Sequence, residues 1–452
     1  MIQQSAIRIF ALTAGVSLLL GMSAGLTGGP AGSKDCVTVF LTGNELGELR
    51  PCGCSSGQLG GFERRPAILN AVPPQKKLIV DTGSLVDNDS EQNLLKFDIM
   101  VQAFNLLDYD LVSLNAKDLD IAAGRGLLDN MASVFSVISS QGGGLPTKFT
   151  KQLSLNGKTL AVTIAAFDAE SSPIEQISEL FAQPAGLLTV NILILNNCSA
   201  EIIESIRQTG IVDCIVCPPE ADEAELISSP DEKPIVVSVG RFGRYIGRLQ
   251  ITAADSLGRS PAQPRDANEL DLAFLPVPVT EDLPQDKSLI GLYRTYQNLV
   301  KKENLLEKHP RFALPNGLEY TGSKSCKSCH KYEYKKWSKK AHARAYATLE
   351  KVNSQYDPEC IICHVVGFEY QGGFVSQQQS SKTLRNVGCE NCHGPGSEHI
   401  KTRGHTLTAE PKSDCTDCHT PENSPRYAEN EQLYFKKILH WREPNAADDV
   451  KQ

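Results

Sequence analysis

The sequence predicts an α/β layered domain followed by a mainly α, loop-rich domain. Three observations support this division. Short apolar runs bounded by Gly, Asp, Asn or Pro alternate with amphipathic helical patterns over residues 37–275. This alternation does not continue after residue 280. Four copies of Cys-x-x-Cys-His then follow within 94 residues near the C-terminal end.

The predicted strands of the first domain are short and apolar. They are Val37–Leu41, Leu78–Val80, Leu111–Leu114, Leu160–Ala166, Val190–Leu195, Cys214–Val216 and Ile235–Val239. Helical patterns lie between several of them, as at Leu94–Leu107 and Ala200–Thr209. Strands interleaved with helices predict a layered sandwich, which we place at residues 37–275.

The two predicted domains are joined by a proline-rich stretch and a helix. Ser260–Asp266, with Pro276 and Pro278 after it, is typical of a linker or of a last irregular edge of the sheet. Apolar residues at helical spacing then predict a connecting helix over residues 284–310, which ends at the break before Pro310. The second domain is placed at residues 318–445.

Residues 1–28 have the features of a signal peptide or an N-terminal anchor. Arg8 precedes an apolar run from Ile9 to about Leu20, and small residues follow. Cleavage is the favoured interpretation, and membrane contact is expected only if the segment stays uncleaved. We therefore expect an exported, periplasmic protein. The net charge of −8 gives no sign of nucleic-acid binding.

The four Cys-x-x-Cys-His motifs predict c-type haem attachment. One copy alone also fits a zinc or disulfide site, but four copies with His at the same offset favour haem. The two cysteines reach the two vinyl groups of one porphyrin, and the adjacent imidazole binds its iron. The attachment cysteines are Cys326, Cys329, Cys360, Cys363, Cys389, Cys392, Cys415 and Cys418. The proximal iron ligands are then His330, His364, His393 and His419, and the cofactors are four haem c groups.

Phrases around these motifs carry a specific resemblance. Residues 319–323, the Trp337-to-Ala343 phrase, Gly367-Phe368 and residues 386–399 are similar to the cytochrome c-554 type tetrahaem family. The resemblance covers about residues 318–420. It implies electron transfer with redox partner proteins, closely stacked haems and mostly bis-histidine iron, although one haem in that family can be five-coordinate.

Bis-histidine iron needs distal ligands, and five histidines remain for this role. They are His342, His399, His405, His440 and His309. His342 and His399 are favoured because they belong to the family phrases. His399 lies only six residues beyond His393, so we expect it to bind a neighbouring haem. His309 is the weakest candidate, because the Pro310 break can leave it exposed.

A lysine cluster follows the first motif. It consists of Lys331, Lys335, Lys336, Lys339 and Lys340. Two interpretations remain open: the cluster steers an acidic redox partner, or it is a solvated face that balances haem propionates.

The first domain resembles the metallophosphatase domain of secreted 5'-nucleotidases. The resemblance rests on residues 40–51, 60–65 and 79–84 and on the predicted closing hairpin at 234–249. These enzymes hold two metal ions with Asp, His and Asn, which generate a nucleophilic hydroxide. The corresponding positions here carry other residues: Asn44, Leu46, Ser84, Ala116, Asn196–Cys198 and Cys217–Pro219. We therefore expect the fold without phosphatase or nucleotidase activity.

Five cysteines lie in the loops or strand ends where these metal ligands are missing. They are Cys52, Cys54, Cys198, Cys214 and Cys217. Because loops at the carboxyl ends of parallel strands converge, the five can form a thiolate site, either a metal centre or a redox dithiol. One or two structural disulfides are the competing interpretation for an exported protein.

The function expected from the sequence is periplasmic electron transfer through four haems, with an inactive phosphatase-fold domain that docks a partner or holds a thiolate site. The alternative is a multihaem oxidoreductase that acts on a small nitrogen or sulfur compound at a five-coordinate haem. An electron-transfer protein is the preferred prediction.

Overall fold

The computed structural model describes residues 35–51, 56–182, 186–229, 232–254, 269–377, 382–409, 415–421 and 423–440. The predicted signal peptide or anchor and the Ser260–Asp266 stretch lie outside the described residues, as do Cys52 and Cys54. No helix within the described ranges is long and apolar enough to cross a bilayer.

Twelve strands lie within the described residues. They are β1 (Val37–Thr42), β2 (Lys77–Asp81), β3 (Leu111–Ser113), β4 (Ser136–Ile138), β5 (Lys148–Leu155), β6 (Lys158–Phe167), β7 (Leu188–Leu195), β8 (Cys214–Cys217), β9 (Glu225–Leu226), β10 (Ile235–Ser238), β11 (Tyr245–Ala253) and β12 (Leu270–Pro278). They form two six-stranded sheets, in the orders β12-β11-β1-β2-β3-β4 and β5-β6-β7-β8-β10-β9. The central pairs β1–β2, β2–β3, β6–β7, β7–β8 and β8–β10 are parallel.

The fifteen α-helices of the described residues divide between the two domains. The first domain contains α1 (Arg65–Leu69), α2 (Glu91–Leu106), α3 (Ala116–Gly124), α4 (Leu128–Val134), α5 (Ile177–Leu180) and α6 (Ala200–Thr209). Then follow α7 (Lys287–Glu303), α8 (Leu305–Lys308), α9 (Ser323–Cys326), α10 (Lys331–Trp337), α11 (Ala345–Val352), α12 (Pro358–Ile361), α13 (Cys389–His393), α14 (Ser397–Lys401) and α15 (Tyr427–Ile438).

The two sheets pack face to face, and helices cover their outer faces. Along β1, Val39 and Leu41 face the second sheet, whereas Phe40 faces the helices. Successive side chains of a strand point to opposite faces, so a strand buried on both faces is mostly apolar; β1 is buried along its whole length and has two threonines as its only polar residues. Helices α2 and α7 cover the first sheet, and α6 covers the second. The first domain is therefore an α/β/β/α sandwich.

The segment that connects the domains differs in detail from the sequence prediction. Strand β12 pairs with β11 along its whole length, so Pro276 and Pro278 belong to an edge strand of the sheet. Proline is tolerated there because an edge strand has one side without ladder hydrogen bonds. The predicted helix over 284–310 is divided at Asn304, whose φ of 53° ends α7 before α8 begins.

The second domain has only a small apolar core. It consists of Leu306, Tyr346, Leu349, Ile361, Val365, Val366, Phe368, Phe374 and Leu384. Its helices are short, and most residues of the four cysteine motifs are only partly buried. Such a segment has few side chains to bury, as expected where attached porphyrins supply much of the apolar contact.

Candidate haem sites

The cysteine motifs are built on single helical turns. His330 N donates to Cys326 O at 3.0 Å, and His419 N donates to Cys415 O at 2.9 Å. The third motif is α13 itself. Residues at i, i+3 and i+4 lie on one face of a helix, so each turn presents its two thiols and its imidazole on the same side. This is the arrangement that one porphyrin requires.

Three of the four motif histidines face another histidine. The ring centres of His330 and His399 lie 5.9 Å apart, and those of His342 and His419 lie 6.2 Å apart. His393 and His440 form the third pair, also at 6.2 Å. Bonds from a metal to an imidazole nitrogen are roughly 2.0 Å long, so two imidazoles on opposite sides of one ion have centres roughly 6 Å apart. The three pairs therefore fit one iron each.

Hydrogen bonds fix the orientation of several of these rings. The Nδ1 atoms of His364, His399 and His440 lie 2.7, 2.8 and 3.0 Å from the carbonyl oxygens of Ala345, Thr406 and Ile438, respectively. A carbonyl oxygen only accepts, so each Nδ1 carries the proton and each Nε2 keeps its lone pair for a metal. His419 Nδ1 lies 2.9 Å from Ser424 Oγ, a hydroxyl that can donate or accept, and this contact also holds the ring in place.

The protonation of the motif histidines also suits iron binding. Burial lowers the pKa of His393, and the neighbouring His440 and His330 lower it further. The pKa of His342 is lowered by burial and by His419 and His364. Metal binding requires a neutral imidazole, so these shifts favour the ligating form.

The four motifs lie in two neighbouring pairs. Motifs one and three are adjacent: Ser323 Oγ accepts from Cys389 N at 3.0 Å, and the Cys326 and Cys389 thiols are within hydrogen-bonding reach. Motifs two and four approach each other through His342, whose ring lies near both His419 and His364. Haems held at these positions would form two close pairs.

His364, His309 and His405 have no facing imidazole. All nine histidines are described, and the ring of His364 is the one motif ring without such a partner. His309 stacks on Phe368 with ring centres 4.4 Å apart. His405 is exposed. The structure thus brings together three of the five predicted distal candidates with motif histidines.

A buried carboxylate inside the third motif was not predicted from the sequence. Glu390 accepts hydrogen bonds from the backbone N–H groups of Gly322 at 2.6 Å, Gly396 at 2.8 Å and Thr321 at 2.9 Å. Gly322 has φ of 79°, which favours glycine. Glu390 therefore holds the chain before motif one against motif three. A Glu between two motif cysteines gives no sequence signal of this role, because its partners are backbone groups.

At the carboxyl edge of the first sheet, an internal ion network lies at the loops where the sequence lacks the metal ligands of the resembling enzymes. The buried Arg65 guanidinium contacts Glu45 at 2.8 Å and Tyr109 OH at 2.8 Å. Thr42 Oγ1 bridges Tyr109 OH at 2.9 Å and Asp81 Oδ2 at 2.7 Å. Burial and the charge of Glu45 raise the pKa of Asp81. Among the described residues no group of three His, Cys, Asp or Glu side chains is placed to hold a metal ion.

The loops that carry the altered positions are closed by backbone hydrogen bonds. Asn44 N donates to Gly83 O at 2.7 Å, and Leu46 N donates to Ser84 O at 3.1 Å. Asn115 caps α3 and donates from Nδ2 to Ser84 Oγ at 2.9 Å. These polar groups satisfy one another within the protein.

The predicted thiolate residues are separated by the second sheet. Cys198 and Cys217 form a disulfide. Cys214 is buried on the opposite face of β8, in the core between the sheets, whereas Cys217 faces α6. Burial raises the pKa of the Cys214 thiol. The structure therefore does not bring Cys214 together with the other two, and Cys52 and Cys54 lie outside the described residues.

The second motif lies against the first domain. Lys96 of α2 contacts both carboxylate oxygens of Glu359 at 2.6 Å, and Glu359 directly precedes Cys360. Beside this pair, Asp357 accepts from Gln92 Nε2 at 2.8 Å and from Tyr296 OH at 3.0 Å. The buried hydrogen bonds of Asp357 and the partly exposed ion pair of Glu359 therefore fix the position of motif two relative to α2 and α7.

Comparison with known proteins places a similarity in the C-terminal part of the chain. Residues 325–394, which include the first three motifs, match the family described as cytochrome c554 and c-prime. Over 92 residues the chain is 37% identical to cytochrome c-554 of Nitrosomonas europaea. This alignment covers 17% of the chain and 39% of that protein, so the chain spans about two fifths of the relative's length.

Solved structures show a partial likeness in fold. A 5'-nucleotidase precursor from Thermus thermophilus superposes with a TM-score of 0.44 at 17% identity, covering 62% of this chain and 61% of that chain. The Haemophilus influenzae NAD nucleotidase gives a TM-score of 0.44 at 12% identity, covering 64% of each chain. These values carry no information about activity. The chain is thus similar to the cytochrome c554 family over residues 325–394.

Proposed function

We propose that this protein transfers electrons through four c-type haems, attached after export from the cytoplasm. The observation that carries the proposal is the set of three facing histidine pairs, His330–His399, His393–His440 and His342–His419. An iron with imidazole on both sides has no open position for substrate, which suits electron transfer. Haem bound at these sites supplies a reversible one-electron change at iron.

In this proposal the residues of the chain anchor the haems, bind their irons and hold the motifs close to one another. The cysteine pairs of the motifs anchor the porphyrins. The histidines bind the irons, and backbone carbonyls such as Thr406 O hold the rings with Nε2 directed away. Glu390 and Ser323 fix motif one against motif three. Short separations between neighbouring motifs favour electron passage within each pair.

The experiment that tests this function uses the full chain produced in a host that attaches c-type haem. A pyridine haemochrome assay combined with intact mass should give four haems per chain, and a redox titration should show four one-electron steps. A protein that carries no covalent haem, or that holds zinc at the motifs instead, would contradict the proposal.

A second candidate function is favoured by His364. Because no imidazole faces this ring, an iron at motif two would keep one open position and could bind a small nitrogen or sulfur compound. Redox chemistry on such a ligand would make the protein a multihaem oxidoreductase. Turnover of hydroxylamine, nitrite or sulfite with an artificial electron carrier would support it, and turnover of none of them would favour electron transfer alone.

For the first domain we propose a docking or supporting role without hydrolysis of phosphate esters. The Arg65 network supports this role, because an internal guanidinium neutralises Glu45 where a metal ion would otherwise be required. Assays for 5'-nucleotidase activity with Mn²⁺, Mg²⁺ or Zn²⁺ should give no metal-dependent hydrolysis.

A further inference from the structure

A dense cluster of positive charge surrounds the first motif. Residues 324–344 contain eight Lys or Arg residues and one acidic residue, Glu333, in a chain whose net charge is −8. Seven of these eight side chains are exposed, and the six lysines among them form what we call the lysine face: Lys324, Lys327, Lys331, Lys335, Lys336 and Lys339.

The lysine face is not neutralised by neighbouring carboxylates. Within the described part of the chain, none of its six ammonium groups forms an ion pair. Two of them lie over tyrosine rings instead: Lys327 over Tyr334 at 5.4 Å and Lys336 over Tyr332 at 5.5 Å. Like charges held this close repel one another, so the face is available to an external anionic surface.

Helix α10, which carries three of these six lysines, is attached to the rest of the second domain by hydrogen bonds close to its C-terminal end. Trp337 Nε1 donates to Val387 O at 2.9 Å, and Val387 N donates to His342 O at 3.1 Å. Helix α10 begins directly after His330, and both Cys329 and His330 are exposed. The lysine face therefore surrounds the motif that is most accessible from solvent.

We propose that the lysine face is the docking surface for an acidic protein that carries one electron at a time. This inference rests on the proposed electron-transfer function and identifies the chemistry of its partner. In each encounter one electron leaves the reduced carrier, which becomes oxidised by one electron, and is accepted at the first motif. No proton moves, and no covalent bond forms or breaks. Charge complementarity raises the association rate and orients the partner toward Cys329 and His330.

The wild-type protein tests the proposal through the sign of a salt dependence. Reduced protein is mixed in stopped flow with hexacyanoferrate(III), an anion, or with hexaammineruthenium(III), a cation, at increasing ionic strength. Attraction to the lysine face predicts that the hexacyanoferrate rate falls with salt and the ruthenium rate rises. If the overall charge of −8 governs the reactions instead, the hexacyanoferrate rate rises with salt and the ruthenium rate falls. That result would overturn the proposal. A protein without haem would instead contradict the proposed function.

Charge reversal with a matched control locates the surface. Lys335→Glu/Lys339→Glu and Lys287→Glu/Lys302→Glu make the same change in net charge, at exposed sites on or beside α10 and on α7 respectively. At low salt the first variant should react about tenfold more slowly with hexacyanoferrate and with fully reduced flavodoxin, an acidic carrier. The α7 variant should stay within about twofold of wild type. Equal loss in both variants, or in neither, would overturn the proposal.

Two further measurements separate the docking surface from other causes. If the Glu variant fails to attach four haems, Lys335→Gln/Lys339→Gln replaces it and should slow the same reactions by a smaller factor. Complex formation with oxidised flavodoxin is followed by sedimentation velocity and should weaken in the α10 variant alone. If the variant instead loses only binding to phosphatidylglycerol vesicles, or only self-association, while flavodoxin binding and rates are unchanged, the acidic-carrier assignment is overturned.

Discussion

Lys96 Nζ lies 2.6 Å from both carboxylate oxygens of Glu359. Because Lys96 belongs to α2 and Glu359 directly precedes Cys360, this ion pair connects the first domain to motif two. Lys96 is 6% exposed. Burial alone would lower the pKa of Lys96, but the carboxylates of Glu359 and Asp357 raise it above its usual value. The ammonium group is therefore charged, and motif two is held to the first domain by a charge-assisted contact.

Replacing Lys96 with Met should loosen the contact between the domains. The substitution removes a charge-assisted hydrogen bond of the buried Lys96 to Glu359, whose side chain is 55% exposed, and we expect a loss of about 1–3 kcal/mol in the free energy of unfolding. Urea unfolding of the haem-loaded protein measures this loss. Lys308→Met is the matched control, because Lys308 also pairs with a glutamate, Glu91, but both side chains are about half exposed. The control should lose less than about 1 kcal/mol. Equal losses would contradict a special role for Lys96.

Removing a distal histidine should change the spin state of one haem. His399→Ala, His342→Ala and His440→Ala each leave one iron with a single imidazole, so each should add one high-spin ferric signal in electron paramagnetic resonance. His405→Ala provides the control, because His405 is exposed and faces no motif histidine. A new high-spin signal in the His405 variant, or none in the other three, would contradict the pairing.

Arg65 should be essential for the stability of the first domain. Arg65→Met removes the charge that compensates the buried Glu45 and Asp81, and breaking a buried pair in this way costs about 3–5 kcal/mol. Arg50→Met is the control, because Arg50 pairs with Glu63 at 2.9 Å while remaining partly exposed. Chemical denaturation followed by far-UV circular dichroism compares the two variants. A loss below about 1 kcal/mol for Arg65→Met would show that the network is not required.

Asp118 should make the first domain less stable as the pH rises. Burial raises its pKa to about 7 from 3.8, although the backbone N–H groups of Ser84 and Leu85 favour the ionised form. The folded state therefore holds a proton that the unfolded state has already released, so this group's contribution to stability is present below about pH 4 and is lost as the pH approaches 7. The change is at most about 4 kcal/mol.

Asp118→Asn removes this titration and isolates its effect. The difference in unfolding free energy between the variant and the wild type should shift in favour of the variant between pH 5 and pH 8. Asp120→Asn, at an exposed position on the same helix, makes the same change of side chain and serves as the control. A difference that does not change with pH in the Asp118 variant would exclude a raised pKa.

The features that the sequence predicted best are those formed by residues close together in the chain. The four motifs are single helical turns, so their spacing alone predicts where two thiols and an imidazole meet. The layered first domain was also predictable, because strands buried on both faces, such as β1 and β7, are mostly apolar. The fold prediction of an α/β layered sandwich is confirmed.

Contacts between distant segments could not be predicted. His440 faces His393 only because α15 returns to motif three, and no phrase around His440 indicates this. Glu390 binds backbone N–H groups, and Lys96 binds a glutamate of the second domain. Neither kind of contact leaves a local pattern in the sequence. The separation of Cys214 from Cys217 follows from strand alternation, but it requires knowing that β8 is buried on both faces.

The central claim is a tetrahaem protein with three irons that have histidine on both sides and one iron, at His364, with an open position. Carbon monoxide titration of the fully reduced protein, combined with a haem count per chain, tests it most directly. The account predicts four covalent haems and one carbon monoxide bound per chain. Fewer than four haems, no bound carbon monoxide, or carbon monoxide at two or more haems would contradict it.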